Sequence, residues 1–327
     1  MHVHPLVRVL AALAAILVSI STQATAAEAE PLRVMTFNIR YDNPQDGEDI
    51  WVNRKDKVAS MVRLYDADIV GMQEAQRNQI DDLAKRLPKY EWFGVGRQDG
   101  KDAGEFTPIF YRRDRLELLD QKTFWLSPTP DQAGSRGWDA ALPRIATWAR
   151  FRPRAGSEGE KMEFIVFNTH FDHMGLLARL ESAKLLRAKV AEIAGDHPVV
   201  VIGDFNCLPG SPPYQWLIGK EPPPPATEGA NVKTEKAPIP PKEAVPAPGA
   251  LADAMLHTRH PHHGPTTTWN GFKALVPGRK IDHIFFRGPI TIEQHVILAD
   301  HWDGRFPSDH LPVMAEITVT ETMNGER

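Results

Sequence analysis

The sequence predicts an α+β fold in which two β-sheets pack face to face and helices cover their outer surfaces. Apolar runs of strand length outnumber helical patterns. They do not alternate regularly with helices, as a doubly wound parallel sheet requires. The chain has 327 residues, 42% hydrophobic and 24% charged, enough for one large core.

Taken in order, residues 32–35 form an apolar strand that runs into Thr36-Phe37-Asn38. Residues 53–64 read as a helix, because Val58, Met61, Val62 and Tyr65 recur at i, i+3, i+4, i+7 spacing. A strand at 69–72 ends in Gln73-Glu74, and a second helix at 76–87 is stopped by Pro88. Strands are expected at 90–96, 108–111, 116–125, 146–151 and 163–168, the last leading into Thr169-His170. The longest helical pattern, 175–194, places Leu176, Leu180, Ala183, Leu186, Val190 and Ile193 on one stripe. A strand at 198–203 delivers Asp204-Phe205-Asn206, and Pro209-Gly210-Ser211-Pro212 then demands a turn. Strands at 280–287, 291–298 and 312–318 complete the set.

Two segments stand outside this core. At the N-terminus, Arg8 precedes an apolar stretch at 9–20 and then Ala24-Thr25-Ala26-Ala27, the pattern of a secretory signal peptide over 1–26. The apolar stretch is too short to span a bilayer comfortably. The mature chain is therefore expected to be exported, to the periplasm or outside the cell, with no transmembrane span. The second segment, 221–249, holds Glu221-Pro222-Pro223-Pro224-Pro225 and Ile239-Pro240-Pro241 with almost no large apolar residues. Such a segment cannot offset its ordering entropy and reads as a disordered insertion in one domain spanning 31–320.

The formal net charge is -4, and removing 1–26 makes it slightly more acidic. Stable binding of duplex DNA normally needs a basic surface, so it is not expected here. A small phosphorylated substrate, a nucleotide or a short single strand stays compatible with this charge. With one cysteine, Cys207, the chain forms no internal disulfide; the thiol reads as a small buried residue. The histidine-rich run 257–263 reads as a solvated loop.

Chemistry concentrates at strand ends, where side chains reach a sheet rim with little positional slack. Glu74 and Asn38 offer oxygens to a hard divalent cation. Asp204 can align or deprotonate a water, and Asn206 can bond that water or a phosphate oxygen. Asp282 is placed to orient His310 and stabilise its charged form, while Asp309 beside it can complete a metal shell. His170 can donate to a phosphoryl oxygen or protonate a leaving group. Arg144 can offset phosphate charge. Asp172, next to His173, and Trp269 are read as lining the substrate rim.

In this order, Thr-Phe-Asn, Gln-Glu, Asn-Thr-His, Gly-Asp-Phe-Asn, Ile-Asp-His-Ile and Ser-Asp-His resemble the endonuclease/exonuclease/phosphatase superfamily over roughly 31–318. The stretches at 144–148 and 280–286 lean toward its deadenylase-related bacterial branch. The resemblance implies a four-layer α/β-sandwich and phosphoester hydrolysis assisted by Mg²⁺, or by Mn²⁺ or Ca²⁺. It makes Glu74 the principal metal ligand, Asn38 a metal or water contact, and Asp309 the carboxylate beside the Asp282–His310 dyad. It makes His170 the phosphate-stabilising or acid residue, and Asp204 and Asn206 the groups that orient water and phosphate. A monomer acting on a phosphorylated substrate by in-line attack of water is expected. Cleavage of phospholipid head groups, and a binding module without catalysis, are the alternatives on the same fold.

Overall fold

The computed structural model describes residues 30–154, 162–220 and 249–320. The export segment at 1–26, and residues 221–248 of the Pro-rich insertion, lie outside the described residues.

The strands build two six-stranded sheets. In the first, β1 (Leu32–Asn38) runs parallel to β2 (Ile69–Gln73), with Asn38 beside Gln73. The antiparallel strands β4 (Ile109–Arg112) and β3 (Tyr90–Phe93) extend the β2 side. On the β1 side lie β12 (Val313–Val319) and β11 (Ile290–Ile297), also antiparallel. In the second sheet, β7 (Phe164–His170) runs parallel to β8 (Val199–Asp204), with His170 beside Asp204. It continues on one side through β6 (Ile145–Pro153) and β5 (Leu116–Trp125). On the other it continues through β10 (Asp282–Arg287) and the two-residue β9 (Ala252–Asp253).

Side chains between the sheets form an apolar core that includes Val34, Ile69, Ile109, Phe151, Val166 and Ile202. The outer face of the first sheet is covered by α1 (Trp51–Leu64) and α2 (Arg77–Arg86), through Val58, Val62, Ile80 and Leu83. The outer face of the second is covered by α3 (Leu176–Ala194) and the short α4 (Pro212–Leu217), through Ala183, Leu186, Val190 and Leu217. The layers are therefore helices, sheet, sheet, helices. Alternation along each strand explains the order, since successive side chains point to opposite faces and both faces here are apolar.

Three details differ from the sequence reading. The turn at 209–212 leads straight into α4, which starts on Pro212 and Pro213, tolerated in a first helical turn. Strand β9 is too short to leave a pattern. In α3 the buried face is Ala178, Ser182, Ala183, Leu186, Val190 and Ala194, whereas Leu176 is 74% exposed. Small residues on that face let the helix lie close to the sheet.

One polar clamp joins the sheets close to their functional end. Gln73 donates to Asn168 Oδ1 across the sandwich at 2.7 Å, and also to Thr36 Oγ1 at 3.0 Å. Asn168 returns its own NH₂ to the carbonyls of Met72 and Pro108, at 2.8 and 2.9 Å. A Cβ on Gly71 would sit 2.6 Å from Asn168 Cγ, so only glycine on β2 leaves room for this crossing.

Candidate active site

Parallel pairing brings the C-terminal ends of β1, β2, β7 and β8 to one edge of the sandwich. The antiparallel strand β10 starts there, with Asp282 opposite Asp204. The turn before β12 brings Asp309 and His310 to the same place. Ser308 fixes that turn by donating its hydroxyl to the Asn38 carbonyl at 2.6 Å. Six chain segments, far apart in sequence, thus deliver polar side chains to one rim.

Asp204 lies at the centre and is almost fully buried. Its Oδ2 accepts from Asn38 Nδ2 at 3.0 Å and lies 3.4 Å from His170 Nε2 and 3.9 Å from His310 Nε2. Its Oδ1 accepts the Asn206 backbone N–H at 2.9 Å. The same Asn38 NH₂ reaches Glu74 Oε1 at 3.1 Å, while Tyr41 N–H donates to Glu74 Oε2 at 3.2 Å. The Asn38 oxygen takes the Arg40 backbone N–H, so its amide holds the two carboxylates through nitrogen. His310 Nδ1 meets Asp282 Oδ2 at 2.9 Å. Asn206 donates its side-chain NH₂ to the Phe171 carbonyl at 3.1 Å.

Glu74 and Asn206 both have positive φ, +60° and +47°. Asparagine tolerates that region better than glutamate. The strained turn after β2 is what swings Glu74 from the strand end toward Asp204.

The electrostatics of this rim are unbalanced. Burial and the neighbouring Asp282 push Asp204 up to about 7. Burial and Glu74 also raise Asp309, against the pull of His310, Arg40 and Arg54. Burial opposes charge on His310, but Asp282, Asp204 and Asp309 outweigh it and hold the imidazole protonated well above its usual range. His170 is the opposite case: burial, with Arg144 and Arg97 close by, keeps it neutral.

Among the described residues, two groups have the donors and proximity to hold a divalent ion: Glu74, His170 and Asp204, and Asp204, Asp282 and His310. Within each, ligand atoms lie within 4.8 Å of one another. In the second group Asp282 is already engaged by His310, so the first fits a cation better. Its two carboxylates form a hard oxygen set, and a cation would relieve the repulsion among Glu74, Asp204 and Asp309.

The remaining predicted residues occupy the margins. Asp172 is fully committed within the protein. Its Oδ1 accepts the N–H groups of Met174 and Gly175, and its Oδ2 accepts those of Ala141 and Leu142 together with Arg144 Nε at 3.2 Å. These bonds and Arg144 outweigh its burial and hold it down to about 2. Asp172 therefore positions Arg144. Trp269 bridges the backbone of His310, and Arg279 stacks 5.2 Å above its ring.

Several residues escaped the sequence reading. Arg54, in the first turn of α1, is buried and donates to the carbonyls of Ile39, Arg40 and Pro307. It ties β1 to the turn that carries Asp309 and His310. Arg97 and Glu105 form a bidentate pair at 2.7 and 2.8 Å beside His170 and Arg144. Neither lies at a strand end after an apolar run, so the signal that found the other residues is missing for both.

A sequence profile described as the endonuclease/exonuclease/phosphatase family matches residues 35–310, which includes every one of these side chains. The chain belongs to the endonuclease/exonuclease/phosphatase family. As a member it is a metal-dependent phosphoester hydrolase, the class that holds the family's nucleases and phosphatases. An endonuclease/exonuclease/phosphatase protein of Bacteroides vulgatus is 38% identical, with a TM-score of 0.75 over 89% of this chain and 100% of that one. A mannosyl-6-phosphatase of Bacteroides thetaiotaomicron is 33% identical, with a TM-score of 0.74 over 88% of this chain and 99% of that one. Protein angel of Drosophila melanogaster is 31% identical over 177 residues, 52% of this chain. The chain spans about half of that protein, 48% of its length.

Proposed function

We propose that this family member is an exported hydrolase of phosphate esters, whose substrate is a nucleotide, a nucleic-acid fragment or a phosphorylated small molecule. The convergence of Glu74, His170 and Asp204 beside the Asp282–His310 dyad carries this reading. Export rests on the signal-like segment at 1–26.

Glu74, close to Asp204 and His170, would hold a divalent ion that would neutralise a non-bridging phosphate oxygen and lower the pKa of water. The rest of the chemistry falls to side chains. Asp204, raised toward neutrality, takes the proton of the attacking water. His310 is already protonated, which makes it a donor; Asp282 fixes its ring and stabilises its charge. Neutral His170 and the Asn206 amide hydrogen-bond charge that develops on the phosphoryl oxygens. The attack is in line, with the ester oxygen leaving opposite the water.

The test is release of product from simple phosphoesters with Mg²⁺, Mn²⁺ or Ca²⁺ and with EDTA. Activity should require the ion, and full activity in EDTA would overturn the reading. One observation favours a second substrate class. Leu142 on one loop, Met174 just before α3, and Leu176 and Leu177 in its first turn are exposed by 37, 66, 74 and 49%, and Asp172 ties the two segments together beside Arg144. An apolar rim suits a phospholipid head group presented at a membrane, and cleavage of phospholipid vesicles would establish it.

A further inference from the structure

Beside His170 lies a cavity that the chemistry above does not use. It is lined by Arg97, Glu105, Phe106, Thr107, Arg144, Ile145 and His170, and its room for the centre of a water-sized sphere is about 10 Å³. That is close to one sphere, enough for a single oxygen atom and too little for a carbon chain. Both arginines are more than nine-tenths buried, at 6% and 4% exposure. Each keeps one nitrogen without a partner among the described residues, Arg97 Nε and one terminal nitrogen of Arg144. The other nitrogens of these guanidiniums are engaged: Arg97 on Glu105 in a bidentate pair, Arg144 on Asp172 and on His173 Nδ1 at 2.7 Å. Buried N–H groups left unpaired are costly, and such groups beside a reaction site point to an acceptor that arrives with the substrate.

Phosphoryl transfer spreads charge over three equatorial oxygens. In a monoester all three are bare. In a diester one of them carries carbon. We propose that the cavity between Arg97 and Arg144 seats one bare phosphoryl oxygen; a second would face the cation held at Glu74 and the third the His170 and Asn206 donors, so no equatorial position is left for a diester's carbon and the hydrolase is selective for phosphomonoesters. The selection is by size as well as by charge. The seat offers an oxygen the N–H groups of two fixed guanidiniums and has no volume for an ester arm. Arg97 and Glu105 enter the site in this way as specificity residues, with Glu105 holding the Arg97 fork in place. The inference rests on the phosphoester-hydrolase reading above and assigns its substrate class.

The experiment compares kcat/KM for p-nitrophenyl phosphate and bis(p-nitrophenyl) phosphate, in the full chain with Mg²⁺ and in Arg97→Met/Glu105→Gln. That pair of substitutions removes both buried charges together and roughly keeps volume. Loss of a hydrogen bond to a charged group costs roughly 10- to 100-fold. The ratio of monoester to diester kcat/KM should fall by at least about 10-fold, and inhibition of diester cleavage by inorganic phosphate should weaken by a similar factor. Arg144→Lys keeps the charge but withdraws the fork, and should shift the ratio the same way if the double variant does not fold. Equal losses on the two esters, with phosphate inhibition unchanged, would overturn the proposal and leave a hydrolase indifferent to ester class. Cleavage of neither ester by the unmodified chain with any divalent ion would instead remove the hydrolase reading itself.

Discussion

Asp282 and His283 are neighbours on β10, and they serve two buried polar clusters of opposite character. Asp282 faces the rim, where it meets His310 at 2.9 Å with Asp204 close by. His283 faces the other side of the sheet, under α4. There Lys280 Nζ lies 2.8 Å from His283 Nδ1 and 3.3 Å from Asp253 Oδ2, and Tyr214 donates to Asp253 at 2.8 Å. Both clusters contain Asp and His, and both are buried. The rear one is closed. Burial pushes Asp253 up, but Lys280, His283 and Tyr214 outweigh it and hold the carboxylate well below its usual range. In the rim cluster carboxylates face each other, Asp204 is pushed up to about 7, and Asp282 keeps one buried oxygen without a partner among the described residues. Residue types do not separate a structural from a catalytic cluster; the charge balance does.

Breaking the rear cluster should have the largest effect. Asp253→Asn leaves Lys280 buried with no carboxylate and should cost about 3–5 kcal/mol of stability. Chemical denaturation would show this, while activity per folded molecule should stay within about threefold, since surface and core changes away from a site act mainly on folding. An equal fall in activity would merge the two clusters into one functional unit. In the rim cluster the pattern should reverse. Asp204→Asn, Glu74→Ala and His310→Ala should each lower kcat/KM at least about 10²-fold, as loss of a proton-transfer or ligand group does. Asp204→Asn should not lower the melting temperature in the absence of metal, because it removes a repelled carboxylate.

Acid sharpens the contrast. Folded Asp204 keeps its proton up to about pH 7, whereas the unfolded chain releases it near about pH 4. Between these values the folded state binds more protons, so this group's contribution to stability falls as pH rises. The raised His310 has the same sign, its contribution declining as pH climbs through its folded value. A divalent ion needs the carboxylates deprotonated. Its stabilisation, about 2.7 kcal/mol at a hundredfold excess over Kd, should therefore be larger at about pH 8 than at about pH 5.5. Equal melting-temperature shifts at the two pH values would deny the rim its role as the cation site. The smallest effect is expected at Cys207, whose buried thiol is pushed up to about 12 and stays unionised. Cys207→Ala should cost about 1 kcal/mol and leave turnover unchanged.

Strand ends were the legible part of this molecule. A side chain at the end of an apolar run has one direction to go, so Asn38, Glu74, His170, Asp204 and Asp282 could be read as neighbours before any geometry was known. The four layers followed from the same runs, because strands apolar on both faces need cover on both sides. Arg97 and Glu105 were illegible because loops fix their partners, with no period to say which residue turns inward; Arg54 lies four residues before Val58 on the buried stripe of α1 and was missed because that stripe was traced through apolar residues alone. The face of α3 was misread in part for a related reason. Ala183, Leu186 and Val190 were placed on the right face, but hydrophobicity added Leu176, Leu180 and Ile193, whereas close helix–sheet contact selected Ala178, Ser182 and Ala194. The histidine-rich loop was read as solvated. Its His262 leaves the loop to meet the buried His295 of β11 at 2.9 Å, a long-range pairing that spacing does not encode.

The Gln73–Asn168 clamp bears on catalysis as well as folding. Glu74 belongs to one sheet, and His170, Asp204 and Asp282 to the other, so the site is split along the midplane of the sandwich. Any change in the spacing of the two halves alters the distance from cation ligand to proton acceptor. Overpacking deep in the core, far from the rim, would then appear as slower turnover with ordinary substrate affinity, the signature of two jaws that no longer meet.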